Sequence, residues 1–310
     1  MTVLVTGGAG FIGSHLVQRL VKSGENVRVF SRSPRPMSIQ SLMPVDWVTA
    51  DILDESAVFS AVAGVDTIYH LAGTGSPGES ANQSRQTLAT NVDGTLNVLL
   101  AATEHNAKKV VFASSASVYG DSPVSPKRED LWPTPRSLYA ASKLSGEQLC
   151  EVFYREYGLP SVVLRFFNVY GIGAPSNLVI PRFASALEAG QNVTLYGDGN
   201  QTRDFVFVED AVTAAISAAT SEPVSQRVFN IGSGTPTRIK DVIDELARIL
   251  DVSPEIDFQP ARIGEIRDSV ADISAAKSLL GFNPRYRIQE GLKRSFKATH
   301  VASSERKLKI

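Results

Sequence analysis

The stretch that most limits what this chain can fold into is "TVLVTGGAGFIG", residues 2–13. A short apolar run stops at a turn carrying Gly7, Gly10 and Gly13. "SHLVQRLVKSG" then continues a helical spacing of apolar residues (Ile12, Leu16, Val17, Leu20, Val21) and closes at Gly24. Glycine allows the tight turn and the close approach of backbone to a pyrophosphate. The helix that follows aims its free N–H groups at the phosphates. A lone glycine pattern is weak evidence, and the spacing here differs from the commoner G-x-G-x-x-G. Its place at the head of an alternating β/α series gives it weight.

That alternation runs on. "VRVF", "DWVTAD", "DTIYHLAG", "KKVVFASSA" and "PSVVLRFFNVYG" read as strands. Between them lie helices over "DESAVFSAVAG", over a long segment from about 86 to 106, and over "SLYAASKLSGEQLCEVFYREYG". The strands are apolar on both faces, which predicts an α/β fold with a parallel sheet covered by helices on both sides. After about residue 170, "IGAPSNLVIPRF" and "YGDGNQTRDF" read as loops and short elements. Asp210 and Asp241 read as helix-start caps. The tail "SSERKLKI" is polar and basic, a frayed end or a small contact arm.

Composition narrows the partners. The chain has 310 residues, of which 20% are charged, and a net charge of −1. No global field then recruits nucleic acid or an anionic membrane, so an anionic ligand must be held by a few local Arg or Lys. One cysteine, Cys150, excludes an internal disulfide framework and fits a reducing, cytoplasmic compartment. Four scattered histidines give no metal-ligand spacing, so no metal is expected. The N-terminus is strand-like from its second residue, and neither a signal peptide nor a membrane span is expected.

"YAASK" puts Tyr139 and Lys143 four apart on one helix face. Taken alone, such a pair is usually a surface pair. Upstream, "SSASVYG" ends a strand and offers Ser115 as a hydroxyl partner for a reacting oxygen. A neighbouring ammonium stabilises a phenolate and lowers a tyrosine pKa towards neutrality. Ser115, Tyr139 and Lys143 thus form a proton-transfer set suited to oxidising an alcohol beside a nicotinamide.

With these residues in view, the chain resembles an extended short-chain dehydrogenase/reductase. Within that superfamily it is similar to nucleotide-sugar epimerases of the UDP-galactose 4-epimerase type. The resemblance covers nearly the whole chain. It rests on "TGGAGFIGSH", "ADILD", "HLAG", "NVDGTLNVL", "SSASVYGD", "YAASK", "LRFFNVYG", "YGDGNQTRDFVFVED" and "RIGEIRDSVADISAAKSLLGF". It implies a Rossmann doubly wound parallel sheet over residues 1–170, joined again by about 204–232 ("FVFVED" and "VFNIG"). A smaller, discontinuous α/β substrate-binding domain would use 171–203 and 233–302, with 303–310 as a tail. It also implies a homodimer.

The resemblance assigns further roles. Gly7, Gly10, Phe11, Ile12 and Gly13 would hold the cofactor's phosphates. Asp51 and Ile52 would contact adenine. Leu71, Ala72, Gly73 and Thr90 would line the cofactor, with Tyr139 and Lys143, and Phe167 would touch the nicotinamide side. For the sugar nucleotide, Asn168 and Asn177, with Leu178 beside it, would bind near the diphosphate, and Thr194 and Tyr196 would flank the nucleobase. Arg203 would meet the diphosphate, and Arg262 and Glu265 phosphate and ribose. A planar Arg fork suits such an anion, although each Arg alone is more often a solvated surface residue.

In resembling 4,6-dehydratases, the positions of Ser115, Ala116 and Ser117 carry Thr, Asp and Glu, so dehydration is disfavoured here. Decarboxylation is disfavoured too, because the Glu of those enzymes is missing at Ser117. The reading is a 4-epimerase of UDP-hexoses that works through a 4-keto sugar, with transient hydride transfer to a bound nicotinamide. The alternative is an NADP-dependent 4-keto nucleotide-sugar reductase. A dinucleotide sensor is a weaker competitor, since sensors commonly lose the Tyr or the Lys. Ser269 stands where some resembling epimerases have a bulky Tyr, which leaves room for an N-acetyl group. "GTGSPGES", residues 73–80, also departs from the usual sequence where the sugar would be contacted.

One stretch bears on the cofactor. "NVRVFSRSPR" ends its strand in Ser31 and Arg32, not in the acid that commonly grips the adenosine ribose. Ser31 can bond a 2′-hydroxyl but repels no phosphate, and Arg32 or Arg35 could bind one. NAD is the expected cofactor, with NADP as the alternative.

Overall fold

A computed structural model describes residues 1–36, 39, 44–74, 83–221, 227–261 and 266–296. Its strands are β1 (Thr2–Thr6), β2 (Asn26–Ser31), β3 (Val45–Thr49), β4 (Thr67–His70), β5 (Lys109–Ser115), β6 (Ser161–Phe166) and β7 (Asn168–Tyr170). They continue with β8 (Val193–Tyr196), β9 (Thr202–Phe207), β10 (Val228–Ile231), β11 (Pro236–Arg238), β12 (Ile256–Gln259) and β13 (Asp268–Ser269). The helices are α1 (Phe11–Lys22), α2 (Glu55–Val62), α3 (Ser84–Leu88), α4 (Gly94–Glu104), α5 (Leu138–Tyr157), α6 (Val179–Glu188), α7 (Val208–Thr220), α8 (Ile239–Leu250) and α9 (Ser274–Leu280).

Seven strands form one parallel sheet in the order β10-β6-β5-β4-β1-β2-β3. Alternate side chains of each strand enter opposite layers. Val3, Val5, Val29, Val111 and Leu164 pack under α1 and α7, while Leu4, Ile68, Val110, Phe112 and Val163 pack under α2, α4 and α5. This is the doubly wound Rossmann arrangement predicted from the alternating pattern. The strand order reverses between β1 and β4, so a crevice opens at their carboxyl ends, where such sheets take their ligands. Among the described residues, no helix is long and apolar enough to cross a membrane.

Several elements differ from the sequence reading. "PSVVLRFFNVYG" is two strands, not one. Phe167 donates its N–H to the Ile231 carbonyl and buries its ring beside Val118 and Tyr119. The chain there leaves the first sheet, and β7 pairs with β9 in a second sheet. "FVFVED" also divides. Phe205–Phe207 complete β9, which pairs with β7, β11 and β13 and not with the first sheet, and only α7 from Val208 returns to cover that sheet.

The long helix from 86 to 106 is interrupted by a π-helical turn, Ala89–Asp93. That wide turn carries Thr90 and Asn91 inward, and both are buried. Asp210 and Asp241 lie in first turns but are not the caps, which are Phe207 and Arg238. Asp210 accepts the N–H groups of Arg285 and Tyr286, while Asp241 pairs with Arg238. The tail, 303–310, lies outside the described residues.

Candidate active site

The crevice holds a cavity of about 710 Å³ that adjoins a smaller one of about 220 Å³, with Gly7, Gly10, Leu71 and Gly73 lining both. The smaller cavity is also walled by Ser31, Arg32, Ile52, Ala72 and Thr90. The larger gathers Phe11, Ile12, Gly13, Ser115, Tyr139, Lys143, Phe167, Asn168, Asn177, Leu178, Arg203 and Ser269. Most residues singled out in the sequence thus meet along one cleft.

The narrow end has the shape of a dinucleotide cradle. Gly7 sits at φ +72°, and a Cβ there would lie 2.7 Å from the Ala72 nitrogen. A Cβ on Gly13 would overlap the Gly7 carbonyl oxygen. α1 starts at Gly10 with no side-chain cap and no acid in its first turn, which leaves its N-terminal N–H groups for an anion. Thr90 Oγ1 is buried without a hydrogen-bond partner beside this cavity. These features fit a dinucleotide.

Asp51 turns away from the cradle: its Oδ1 accepts Leu53 N–H, and its Oδ2 stands 3.8 Å from Arg32 Nη1. Arg32 is therefore held by a carboxylate, although both groups are open to solvent and their attraction is screened. Ser31 is buried, and its hydroxyl accepts Ser33 N–H.

A line of buried hydrogen bonds joins the cradle to the catalytic helix. Thr6 Oγ1 accepts Ala72 N–H and lies 2.7 Å from His70 Nδ1, and His70 Nε2 lies 3.0 Å from Thr95 Oγ1. Thr95 gives its proton to Asn91 O, so His70 carries its hydrogen on Nε2. Burial, with Lys143 nearby, draws the imidazole pKa down to about 3 and keeps it neutral. Asn91 Nδ2 donates to Ser142 Oγ and to Thr74 O, and its Oδ1 accepts Thr74 N–H.

The groups expected to react sit where the end of β5 meets α5. Lys143 Nζ is buried, donates to Ala113 O at 2.9 Å, and lies 5.3 Å from the Phe112 ring centre. Burial draws its pKa down to about 8, against the pull of Glu147 one turn further along. Ser115 and Tyr139 line the same cavity, and the Ser115 side chain favours the ionised phenol. The expected lowering of the tyrosine is reversed by its burial. Burial raises the phenol above its ordinary value, and Ser115 only opposes it. Tyr139 is therefore a neutral phenol here.

At the wide end, Asn168 Nδ2 donates to Asp204 O, and Arg203 Nη1 donates to the Thr202 and Arg267 carbonyls. Thr194 and Tyr196 stand on β8, which pairs with β12, outside the cavity lining. Arg262, Glu265 and residues 75–80 of the "GTGSPGES" segment lie outside the described residues.

Three buried groups had no role in the sequence reading. Asn91 and His70 are one pair, hidden in "NVDGTLNVL" and "HLAG". Asp204, in "QTRDF", accepts Ser233 N–H and Oγ, Gly234 N–H and Ala271 N–H, and so ties β9 to the loops behind β10 and β13. Glu147 is clamped by Arg165 at 2.7 Å and by Ser114. An acid within a strongly apolar strand or helix face was the available signal for the last two.

The family model described as NAD dependent epimerase/dehydratase family matches residues 3–232. A UDP-glucose 4-epimerase of Mycolicibacterium smegmatis is 35% identical, covering 94% of this chain and 96% of its own length. A UDP-N-acetyl-alpha-D-glucosaminuronate decarboxylase of Bacillus cytotoxicus is also 35% identical, over 94% and 95%. A solved structure of UDP-glucuronic acid 4-epimerase from Bacillus cereus, with UDP-glucuronic acid and NAD, superposes with a TM-score of 0.89. It is 32% identical and covers 97% of this chain and all of that one.

Proposed function

The chain belongs to the NAD dependent epimerase/dehydratase family, and from that premise we propose that it is a 4-epimerase of UDP-hexoses. The observation that carries this reading is the composition of the cleft. Ser115, Tyr139 and Lys143 face one cavity, and no carboxylate lines it among the described residues. Elimination of water asks for an acid beside the reacting carbon. Reversible oxidation of an alcohol asks only for a group that takes a proton and gives it back.

The cofactor is NAD, which supplies, when bound, the redox chemistry that turns a secondary alcohol into a ketone and back. Gly7, Gly10 and the start of α1 would hold its pyrophosphate, and Ser31, Ile52 and Thr90 its adenosine half. The Arg32–Asp51 pair supports NAD over NADP, because Arg32 would have to leave a carboxylate to meet a 2′-phosphate. Tyr139 must first ionise; as phenolate it takes the proton of the sugar 4-hydroxyl and later gives it back, and Ser115 aligns that oxygen. The Lys143 ammonium, one helical turn from Tyr139, stabilises the phenolate while the proton is away. Asn168, Asn177, Leu178 and Arg203 would hold the UDP diphosphate, and Ser269 would leave space for a substituent at C2.

Residues 1–170 with α7 and β10 would form the cofactor half, and the second sheet with its loops the substrate half. We further propose a cytoplasmic homodimer. Its support is the buried, unpaired Cys150 and the exposed apolar side chains of Leu100, Val152, Tyr154 and Tyr157 on α4 and α5.

The test is to purify the protein without added cofactor and incubate it with UDP-glucose, UDP-N-acetylglucosamine and UDP-glucuronic acid. The expected outcome is a 4-epimer of at least one of them, NAD released on denaturation and no net reduced cofactor. No epimer from any UDP-sugar would overturn the reading. Stoichiometric oxidation of added NADPH would establish the reductase instead, and carbon dioxide from the uronate a decarboxylase.

A further inference from the structure

The end of β5 presents three successive rungs to three successive turns of α5. Ser115 lines one cavity with Tyr139, the Ala113 carbonyl accepts from Lys143, and Ser114 Oγ donates to Glu147. Tyr139, Lys143 and Glu147 are spaced at i, i+4 and i+8, so they share one face of the helix. The first two are the reacting pair. The third has no place in the chemistry, yet it is a carboxylate exposed to only 4%.

An unpaired charge would not persist there. Arg165, on β6, supplies the counter-charge, with Nη2 at 2.7 Å from Glu147 Oε2 and Nε at 3.0 Å from Oε1. It stands beside Ser114 in the parallel ladder, and its guanidinium lies 4.8 Å from the Tyr119 ring centre. Two side chains, Arg165 and Ser114, thus lock the Glu147 carboxylate from the strand side, while its negative charge reaches Lys143 along the helix.

We propose that Glu147 is a positioning residue of the reaction: braced by Ser114 and Arg165, it holds the Lys143 ammonium charged and in register with Ser115 and Tyr139. The proposal rests on the epimerase reading only for what that register serves. The charged or titratable groups around Lys143, among the described residues, are His70 on β4, Tyr139 and Glu147 on its own helix and, behind Glu147, Arg165. His70 is neutral and Arg165 repels, so Glu147 is the one group that favours the ammonium. Without it, burial acts unopposed, and Lys143 loses its proton at lower pH.

The experiment is a direct titration of Lys143 by carbon-13 NMR of lysine-labelled protein, with the resonance assigned by K143R. Wild type, E147Q, S114A and E147Q/R165M are compared. In E147Q the Lys143 midpoint falls by about one pH unit, and the alkaline limb of kcat/KM moves down with it. S114A, which removes a hydrogen bond and no charge, leaves the midpoint within about 0.3 unit. E147Q/R165M removes both charges at similar volume, so it folds even where E147Q does not, and its midpoint lies between those of E147Q and wild type. A Lys143 midpoint unmoved in both Glu147 variants overturns the proposal. The titration needs no turnover, so it reads the same way whether or not a UDP-sugar is epimerised.

Discussion

The two ends of the cleft are built differently. At the dinucleotide end the walls are backbone. Gly7 and Gly13 sit where a single carbon would collide, and a closed line of hydrogen bonds runs from Thr6 through His70 and Thr95 to Asn91. At the sugar end the walls are side chains carried by short strands and loops, gathered around one buried carboxylate, Asp204. In the proposed reading the cofactor, common to every turnover, would meet the rigid end, and the sugar nucleotide the adaptable one. The shape of one end is set by what cannot be added, and that of the other by what is tied together.

Replacing Tyr139 by Phe removes the proton carrier shared by both ends and disturbs neither wall. Turnover should fall by about 10³-fold or more while bound NAD stays, as read by product formation and by cofactor mass. At the rigid end, Gly13→Ala should abolish NAD retention and lower stability by about 2 kcal/mol, checked by denaturant titration. At the adaptable end, Asp204→Asn should cost about 2 kcal/mol, because an amide oxygen accepts fewer of the four bonds. It should raise the KM for the UDP-sugar and leave NAD bound. If both variants lose the cofactor alike, the contrast between the ends fails.

His70 gives a smaller, pH-dependent effect. Its folded pKa is depressed to about 3, so below the ordinary histidine range the unfolded chain binds a proton that the folded chain does not. Stability should therefore fall as pH drops from about 6.5 towards 3, by up to about 1.4 kcal/mol per unit. His70→Asn should flatten that slope in denaturation curves taken across the window. The smallest effect is expected of Arg32→Ala, whose ion pair with Asp51 is exposed and screened. NAD affinity should change by less than about threefold, by calorimetry. A large gain or loss of NADP binding would show that Arg32 sets cofactor choice.

Much of the rigid end was legible in the sequence because its signals are local. A glycine turn between an apolar run and a helical pattern, and Tyr139 four residues before Lys143, each fit within one window. The break at Phe167 was not legible, because "VVLRFFNVY" is uniformly apolar and only the pairing of β7 with β9 ends the first strand. The π turn at Ala89–Asp93 was hidden for a similar reason: periodicity cannot register one extra residue per turn. Thr194 and Tyr196 were placed by resemblance, and β8 carries them outside the cavity lining. The raised Tyr139 pKa also escaped, since the spacing to Lys143 says nothing of how deeply the phenol is buried.

The most direct test of the central claim follows the hydrogen at C4. The enzyme is incubated in ordinary water, without added cofactor, with UDP-glucose deuterated at C4, or with whichever UDP-sugar proves to be turned over. The expected product is an epimer that keeps deuterium at C4, with none lost to solvent, because Tyr139 handles only the oxygen-bound proton. Loss of the label to water during epimerisation, or inversion at another carbon, would contradict it.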